Sequence, residues 1–168
     1  MKRILVLSAV LAALAVVPAG ATIFTIPVSL DGAQAGTPST GTGSATLTLD
    51  DVALTLNVSL TYSGLTSPTN NAHIHCCSPP GVSSGVIIPF VPPFVLGATS
   101  GTFNNLFTLT PTLLTQVESG GAYINIHTDN FPVGEIRGQI AAVPEPATAG
   151  LLCTGMLMLG ARARRIRS

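Results

Sequence analysis

The sequence is poor in charged and aromatic side chains, and these shortages exclude several functional classes. Charged residues make up 8% of the 168 residues, and tryptophan is absent. Nucleic-acid binding needs clustered lysine and arginine to neutralise phosphates, so that class is excluded. Aromatic residues make up only 5% of the chain, which argues against a surface that stacks sugar rings. A hydrophobic fraction of 46% with so little charge also excludes a disordered chain.

The chain also lacks the motifs of common catalytic sites. It contains no G-x-S-x-G nucleophile motif, no phosphate-binding glycine loop and no H-E-x-x-H metal motif. We therefore expect a protein that is not an enzyme and that has a binding or structural role.

The few charges are unevenly distributed along the chain. Six of the seven basic residues lie near the two ends, and Arg137 is the only one between them. Residues 22–143 carry six acidic side chains against this single arginine, which gives a net charge of −5. The middle of the chain is therefore acidic, and it favours cations over anionic polymers.

Residues 1–21 have the pattern of a secretory signal peptide. Lys2 and Arg3 precede an apolar run over residues 4–17, and Ala19 and Ala21 stand at the positions that signal peptidase prefers. We expect cleavage before Thr22 and export of the chain. A retained anchor helix is the alternative, although the apolar run is short for a membrane span.

Residues 143–168 have three parts: the motif Pro144-Glu145-Pro146, an apolar run over residues 147–161 predicted as a short transmembrane helix, and an arginine-rich tail. This order resembles the PEP-CTERM sorting signal of Gram-negative bacteria. The resemblance implies that an exosortase recognises the signal, cleaves near the motif and passes the protein to the cell envelope, cell surface or extracellular matrix. A plain C-terminal membrane anchor is the alternative.

Residues 22–142 are predicted to be one all-β domain, because apolar and polar residues alternate with period two between turn clusters. About eight short strands favour a Greek-key β-sandwich or barrel. Asp50-Asp51 is predicted as a two-residue hairpin turn that sets Leu49 opposite Val52. One short helix is predicted over residues 111–118. The predicted strands span residues 23–30, 46–49, 52–62, 72–76, 85–88, 102–109, 122–127 and 135–141.

All three histidines lie in predicted strands. His73 and His75 share one face of their strand, about 7 Å apart along it, which suits joint coordination of one metal ion. His127 ends another strand. Because imidazole suits copper and zinc, we predict a candidate Cu or Zn site of these three residues. The alternative is a polar hydrogen-bond network that holds no metal.

A supporting polar network is predicted around the last histidine. If the strands before and after the loop at residues 128–134 pair, one register aligns three polar pairs on one face. Arg137 is expected to pair with a carboxylate, either Glu135 or Asp129. The aligned pairs are His127 with Glu135, Asn125 with Arg137, and Tyr123 with Gln139.

Three segments of the middle region resemble the CHRD (chordin-type) domain. They are residues 30–34 (LDGAQ), residues 72–75 (AHIH) and residues 123–139, which include YINIHT and FPVGEIRGQ. Members of that family are extracellular β-rich domains, named for chordin, a protein that binds growth factors. The resemblance implies a β-rich extracellular module with an unknown surface ligand.

The order of the histidines is similar to that of the copper ligands in copper–zinc superoxide dismutase. The chain has only three histidines, so none is left to bridge copper and zinc. A complete copper–zinc pair is therefore not expected. A metal-dependent redox protein of dismutase-like layout, with a single three-histidine site, is the alternative function.

Two adjacent cysteines follow the His-x-His motif. If the strand continues, Cys77 points to the same side as His75 and offers a possible fourth ligand. A disulfide between Cys76 and Cys77, or two free thiols, is the favoured alternative.

Overall fold

Residues 22–143, which the computed structural model describes, form eight strands and two short helices. The predicted signal peptide and the predicted sorting signal beyond Val143 lie outside the described residues. Neither helix within residues 22–143 has the length and apolar character needed to cross a membrane. The elements are β1 (Ile23–Asp31), α1 (Gly32–Ala35), β2 (Thr42–Asp50), β3 (Thr55–Ser63), β4 (Thr69–Cys76), β5 (Gly85–Pro89), β6 (Gly101–Thr108), α2 (Pro111–Glu118), β7 (Tyr123–Thr128) and β8 (Ile136–Gln139).

All eight strands belong to one antiparallel sheet, in the order β5-β4-β7-β8-β1-β2-β3-β6. The sheet curls like half a barrel. Its two edges meet across the core, where the ring of Phe90, just after β5, stacks 4.6 Å from that of Phe103 in β6. The prediction of an all-β domain with about eight strands is confirmed. The sequence left open a sandwich or a barrel, and the structure has one curled sheet whose opposite ends pack together.

The alternating pattern of β2 and β3 explains how the sheet obtains its core. Leu47 lies opposite Val58 and Leu49 opposite Leu56, and all four side chains are fully buried. The intervening threonines and serines point away from this core or are only partly covered. Period-two alternation therefore separates an apolar inner face from a polar outer one, as the sequence predicts.

The predicted two-residue turn at Asp50-Asp51 is wrong. Asp50 pairs with Thr55, and residues 51–54 make the turn. The Asp50 carboxylate accepts hydrogen bonds from the backbone N–H groups of Val52 and Ala53, at 3.0 and 2.7 Å, which favours this longer turn. Leu49 consequently lies opposite residue 56 and not residue 52. The shift is even, so Leu56 and Leu60 still face the core, whereas Val52, predicted to face it, lies in the turn and is 60% exposed.

The predicted helix over residues 111–118 is confirmed as α2. Thr110 caps it, since its hydroxyl oxygen accepts a hydrogen bond from Leu113 N–H at 3.2 Å, and Pro111 occupies the first turn. Val117 anchors the helix in the core. The single turn α1 was not predicted, and it begins where the Asp31 carboxylate accepts from Gln34 N–H at 2.8 Å.

Three neighbouring strands, β4, β7 and β8, carry the predicted site. Tyr123 lies opposite both His75 and Gln139. Asn125 lies opposite both His73 and Arg137. The predicted register between the last two strands is thus confirmed at both of these pairs, and it brings the polar residues of three strands onto one face.

Candidate metal site

The three histidines converge on this polar face. One ring nitrogen from each of His73, His75 and His127 lies within 4.8 Å of those of the other two. The rings of His73 and His75 are 5.4 Å apart, closer than the spacing of about 7 Å between such positions along a strand. The side chains therefore turn toward one another, in a geometry suited to a shared ion. No other group of three or more His, Cys, Asp or Glu side chains in residues 22–143 is so arranged.

Two of the rings are fixed through their Nδ1 atoms. His75 Nδ1 donates to the carbonyl oxygen of Ser84 at 2.9 Å, and His127 Nδ1 donates to that of Pro132 at 3.0 Å. A carbonyl only accepts, so the proton of each neutral ring sits on Nδ1 and the lone pair on Nε2. Such outer contacts orient histidine ligands in metal sites. Both Nε2 atoms are therefore prepared as ligands.

His73 completes the group with its own Nδ1 atom. This nitrogen lies 3.3 Å from His127 Nε2, to which it donates when no ion is bound. A metal ion between the two nitrogens requires the His73 proton to move to Nε2, which frees Nδ1 as the ligand. His73 is the most exposed of the three rings, so it can exchange this proton with solvent.

The environment keeps all three imidazoles neutral. Burial lowers the pKa of His73 to about 4, with the nearby His127 and His75 adding to the effect. Burial also lowers the pKa of His75, aided by His127 and Arg137 and opposed by the bond to Ser84. The pKa of His127 is lowered by burial, against the bond to Pro132. At neutral pH the cluster therefore offers lone pairs and no positive charge, which metal binding requires.

A stack of three side chains supports His75. The imidazole lies parallel to the Tyr123 ring, with ring centres 4.9 Å apart and planes 3° from parallel. The Arg137 guanidinium carbon lies 3.4 Å from the Tyr123 ring centre. Two groups this close to one ring occupy its opposite faces, so Tyr123 is held between the cation and the imidazole.

Arg137 and Tyr123 also hold the loop between β4 and β5, which contains the Ser84 carbonyl that accepts from His75. Arg137 donates to the carbonyl oxygens of Val82 at 2.9 Å and Pro79 at 3.4 Å. The Tyr123 hydroxyl accepts from Ser84 N–H at 2.9 Å. Since Ser84 also accepts from His75, these bonds fix the carbonyl that orients the ring.

Gln139 also belongs to this network. Its amide oxygen accepts from Arg137 at 2.9 Å, and its amide nitrogen donates to the carbonyl oxygens of Gly120 and Ala122, both at 3.0 Å. The guanidinium is thus held in place on the Tyr123 ring.

Arg137 and Glu135 do not form the predicted ion pair. Among residues 22–143, Arg137 donates to carbonyl and amide oxygens where a carboxylate was expected. The other predicted partner, Asp129, accepts from the Asn70 side chain at 3.0 Å. Carbonyl oxygens satisfy the guanidinium because the loop at residues 79–82 closes over it.

Glu135 also leaves the histidine face, which contradicts the prediction that it faces His127. Its fully buried carboxylate accepts from Thr66 N–H at 2.7 Å and from the hydroxyls of Ser39 and Thr128 at 2.6 Å. Burial raises the pKa of Glu135, but these hydrogen bonds outweigh it and the net pKa is lowered. The carboxylate therefore ties the loops at Ser39 and Thr66 to the end of β7, away from the histidines.

Asn125 occupies the centre of the face, and Gly134 makes room for it. The Asn125 amide nitrogen donates to the Val133 carbonyl at 3.1 Å. A Cβ atom at Gly134 would collide with the Asn125 amide, and the φ of Gly134 is 121°. Both the close approach and the backbone conformation therefore require glycine there.

Cys77 carries no thiolate in this structure. It forms a disulfide with Cys76, one of the two alternatives favoured over metal ligation from the sequence. Cys76 is buried beside α2, where its sulfur contacts the Gln116 carbonyl at 3.4 Å, whereas Cys77 is exposed. The ligand group formed by the described residues therefore consists of the three histidines.

The backbone carbonyls that orient the histidines were not predicted from the sequence. The Ser84 and Pro132 carbonyls orient two histidines, and both lie on loops. Every residue has a carbonyl, so no residue type marks these two positions. Only the three-dimensional path of the loops identifies them.

Comparison with known proteins agrees with the resemblance seen in the sequence. The family model of the CHRD domain matches residues 26–140, which include all three histidines and the residues that support them. Neither the search of curated proteins nor that of solved structures found a match. Because the matched region exceeds half of the 168 residues, the chain belongs to the CHRD domain family.

Proposed function

We propose that this chain is an exported, non-enzymatic CHRD module that binds one copper or zinc ion through His73, His75 and His127. The observation that carries the proposal is the convergence of three ring nitrogens within 4.8 Å. Two of the rings are already oriented by backbone carbonyls, so only His73 has to move its proton and break its bond to His127 on binding.

The ligand chemistry favours copper or zinc over calcium or magnesium. Calcium and magnesium prefer carboxylate, carbonyl and water oxygens, whereas the candidate ligands are all imidazoles. The net charge of −5 over residues 22–143 also attracts a cation to the domain.

Export and surface sorting form the second part of the proposal. Residues 1–21 act as a signal peptide for signal peptidase, and residues 143–168 act as an exosortase substrate whose apolar run contacts the membrane before cleavage. The domain then resides at the cell envelope, cell surface or extracellular matrix of a Gram-negative bacterium. The disulfide between Cys76 and Cys77 supports an oxidising compartment.

The alternative function is a copper or zinc redox protein of dismutase-like layout. It is favoured by the same clustered histidines, in a β-fold with the His-x-His motif on one strand and His127 on its neighbour. A purified, copper-loaded chain that consumes superoxide catalytically would support it, and a loaded but inert chain supports the binding module.

Calorimetric titration of the full-length chain with Cu(II) and with Zn(II) tests the metal site. We expect one ion per chain and a loss of affinity of at least about 100-fold in His75→Ala, because a ligand is removed. Asn57→Ala, a substitution on β3 in another part of the sheet, is the matched control and should bind as the wild type does. No uptake, or equal uptake by His75→Ala, would overturn the proposal.

A further inference from the structure

Most of the unpartnered buried polar atoms are concentrated in the region of the histidine cluster. Four buried side-chain polar atoms of residues 22–143 have no hydrogen-bond partner. Three of them are His75 Nε2, Ser84 Oγ and Asn125 Oδ1, which belong to the cluster or to its supporting residues. The fourth, Asn57 Oδ1, lies on β3. A buried polar atom is costly unless something satisfies it, so this concentration favours a polar species, either an ion or ordered water, beside the cluster.

A metal ion accounts for only part of this group. It satisfies His75 Nε2, which has a lone pair to donate. It does not satisfy Asn125 Oδ1, because this oxygen needs a hydrogen-bond donor. The Asn125 amide nitrogen is engaged by the Val133 carbonyl at 3.1 Å, which fixes the amide oxygen as the unpartnered atom.

Asn125 is well placed to serve a metal-bound group. It lies directly opposite His73 in the adjacent strand and two residues before His127, on the same face as both. Its side chain is 5% exposed, so bulk water does not satisfy its oxygen. The contact with Gly134 limits its movement away from this position.

A metal ion held by the three histidines would have a coordination position left to fill. Zinc and copper sites of this kind take four or more ligands, and three histidines supply three. Cys77 is engaged in its disulfide with Cys76, so it does not supply the fourth. A ligand from solution must therefore complete the coordination.

We propose that the bound ion carries a solvent-derived oxygen ligand whose O–H group donates a hydrogen bond to Asn125 Oδ1. The inference rests on the proposed metal site and describes its ligand chemistry. Because Oδ1 only accepts, the open position favours small ligands that carry a hydrogen-bond donor, such as water, over anions that only accept, such as azide.

Pulsed electron paramagnetic resonance of the full-length Cu(II)-loaded chain tests the ligand directly. We expect couplings from three imidazoles together with strongly coupled deuterium after exchange into D₂O, since the bound water exchanges its protons. Three imidazoles with no strongly coupled deuterium would overturn the bound water but keep the metal site. No imidazole couplings at all would overturn the metal site itself.

Azide titration of Asn125 variants tests the hydrogen bond. We expect Asn125→Ala to bind azide about five-fold more tightly than the wild type, because its bound water has lost a hydrogen bond. The matched control Asn57→Ala removes the unpartnered amide oxygen on β3 and should bind azide as the wild type does. Equal azide affinity in wild type and Asn125→Ala would overturn the role of Asn125.

A second variant separates the acceptor from packing. Asn125→Asp keeps an accepting oxygen, loses the donor to Val133 and adds a negative charge that itself disfavours azide, so its azide affinity should be no tighter than that of the wild type. If Asn125→Ala fails to fold, Asn125→Leu, which removes the acceptor without adding charge, takes its place and should also bind azide more tightly. Tighter azide binding by Asn125→Asp would contradict the proposal.

Discussion

His73 differs from the other two candidate ligands in being partly exposed and in having no backbone carbonyl to hold it. Its nearest polar partner is another ligand, His127, at 3.3 Å. When no ion is bound, His73 is thus held by a single bond to another candidate ligand. Protonation of His73 is therefore the step by which low pH lowers the stability of the folded apo protein.

The apo protein should lose stability as the pH falls from about 6.5 to about 4. The pKa of His73 is 6.5 when unfolded and about 4 when folded, so in this window the unfolded chain binds more protons. Because His73 is partly exposed, solvent screening reduces the loss to the order of 1 kcal/mol. Urea unfolding of wild type and His73→Gln at pH 7 and pH 4.5 measures it. A pH dependence that is unchanged in His73→Gln would contradict this account.

Gly134→Ala should destabilise the domain by about 1–3 kcal/mol, because the new Cβ meets the Asn125 amide at a positive φ. Gly36→Ala is the matched control, since Gly36 has a φ of 72° and an added Cβ meets nothing within 4 Å. Urea unfolding should show the larger loss at Gly134. Equal losses at the two positions would mean that contact with Asn125 carries no weight.

The loop between β4 and β5 is the part of the site that the alternating residue pattern of the strands does not predict. It contributes the carbonyl that orients His75, and it is held by Tyr123 and Arg137 from two other strands. Its conformation and the ligand geometry are therefore coupled.

Tyr123→Phe should weaken metal binding by about 10-fold, since it removes the hydroxyl that accepts from Ser84 N–H but keeps the ring on His75. Tyr62→Phe alters the only other tyrosine, which is buried in the core beside Phe94, and is the control for hydroxyl loss. Calorimetric titration with Zn(II) compares them. An affinity that falls equally in both variants would show that the Ser84 contact has no specific role.

The alternation of residue types predicts which face of a strand a side chain occupies. It predicts less reliably which residue of the neighbouring strand lies opposite. Leu49 and Leu56 were expected on one face and are there, although the turn after Asp50 shifts their register by an even number of residues. The pairing of Asn125 with Arg137 was predictable because a slip of one residue would mix polar and apolar faces. Glu135 departs from this pattern because it lies just before the first residue of β8, outside the regular strand in which side chains alternate.

Along the full chain, the acidic domain lies between the two predicted targeting segments. The charge balance of zero for the entire chain becomes −5 for residues 22–143. We infer that the exported form is an acidic, cation-attracting module, whose charge suits solubility outside the cell.

The processed protein should begin at Thr22 and end near Pro144–Pro146. Deletion of residues 162–168, which carry the terminal arginines, should leave unprocessed chain in the membrane fraction, because the sorting signal is incomplete. Cell fractionation with mass spectrometry of the intact protein measures both ends. A secreted chain that retains residues 147–168, or sorting that is indifferent to the deletion, would contradict the proposed exosortase route.

We have proposed that three neutral histidines on one face of a CHRD domain hold a metal ion. The decisive test is elemental analysis of the protein purified from the cells that export it, beside a variant with His73, His75 and His127 all changed to alanine. We predict one copper or zinc ion per wild-type chain and none in the folded triple variant. A wild-type protein free of both metals that also takes up neither on incubation would contradict the claim.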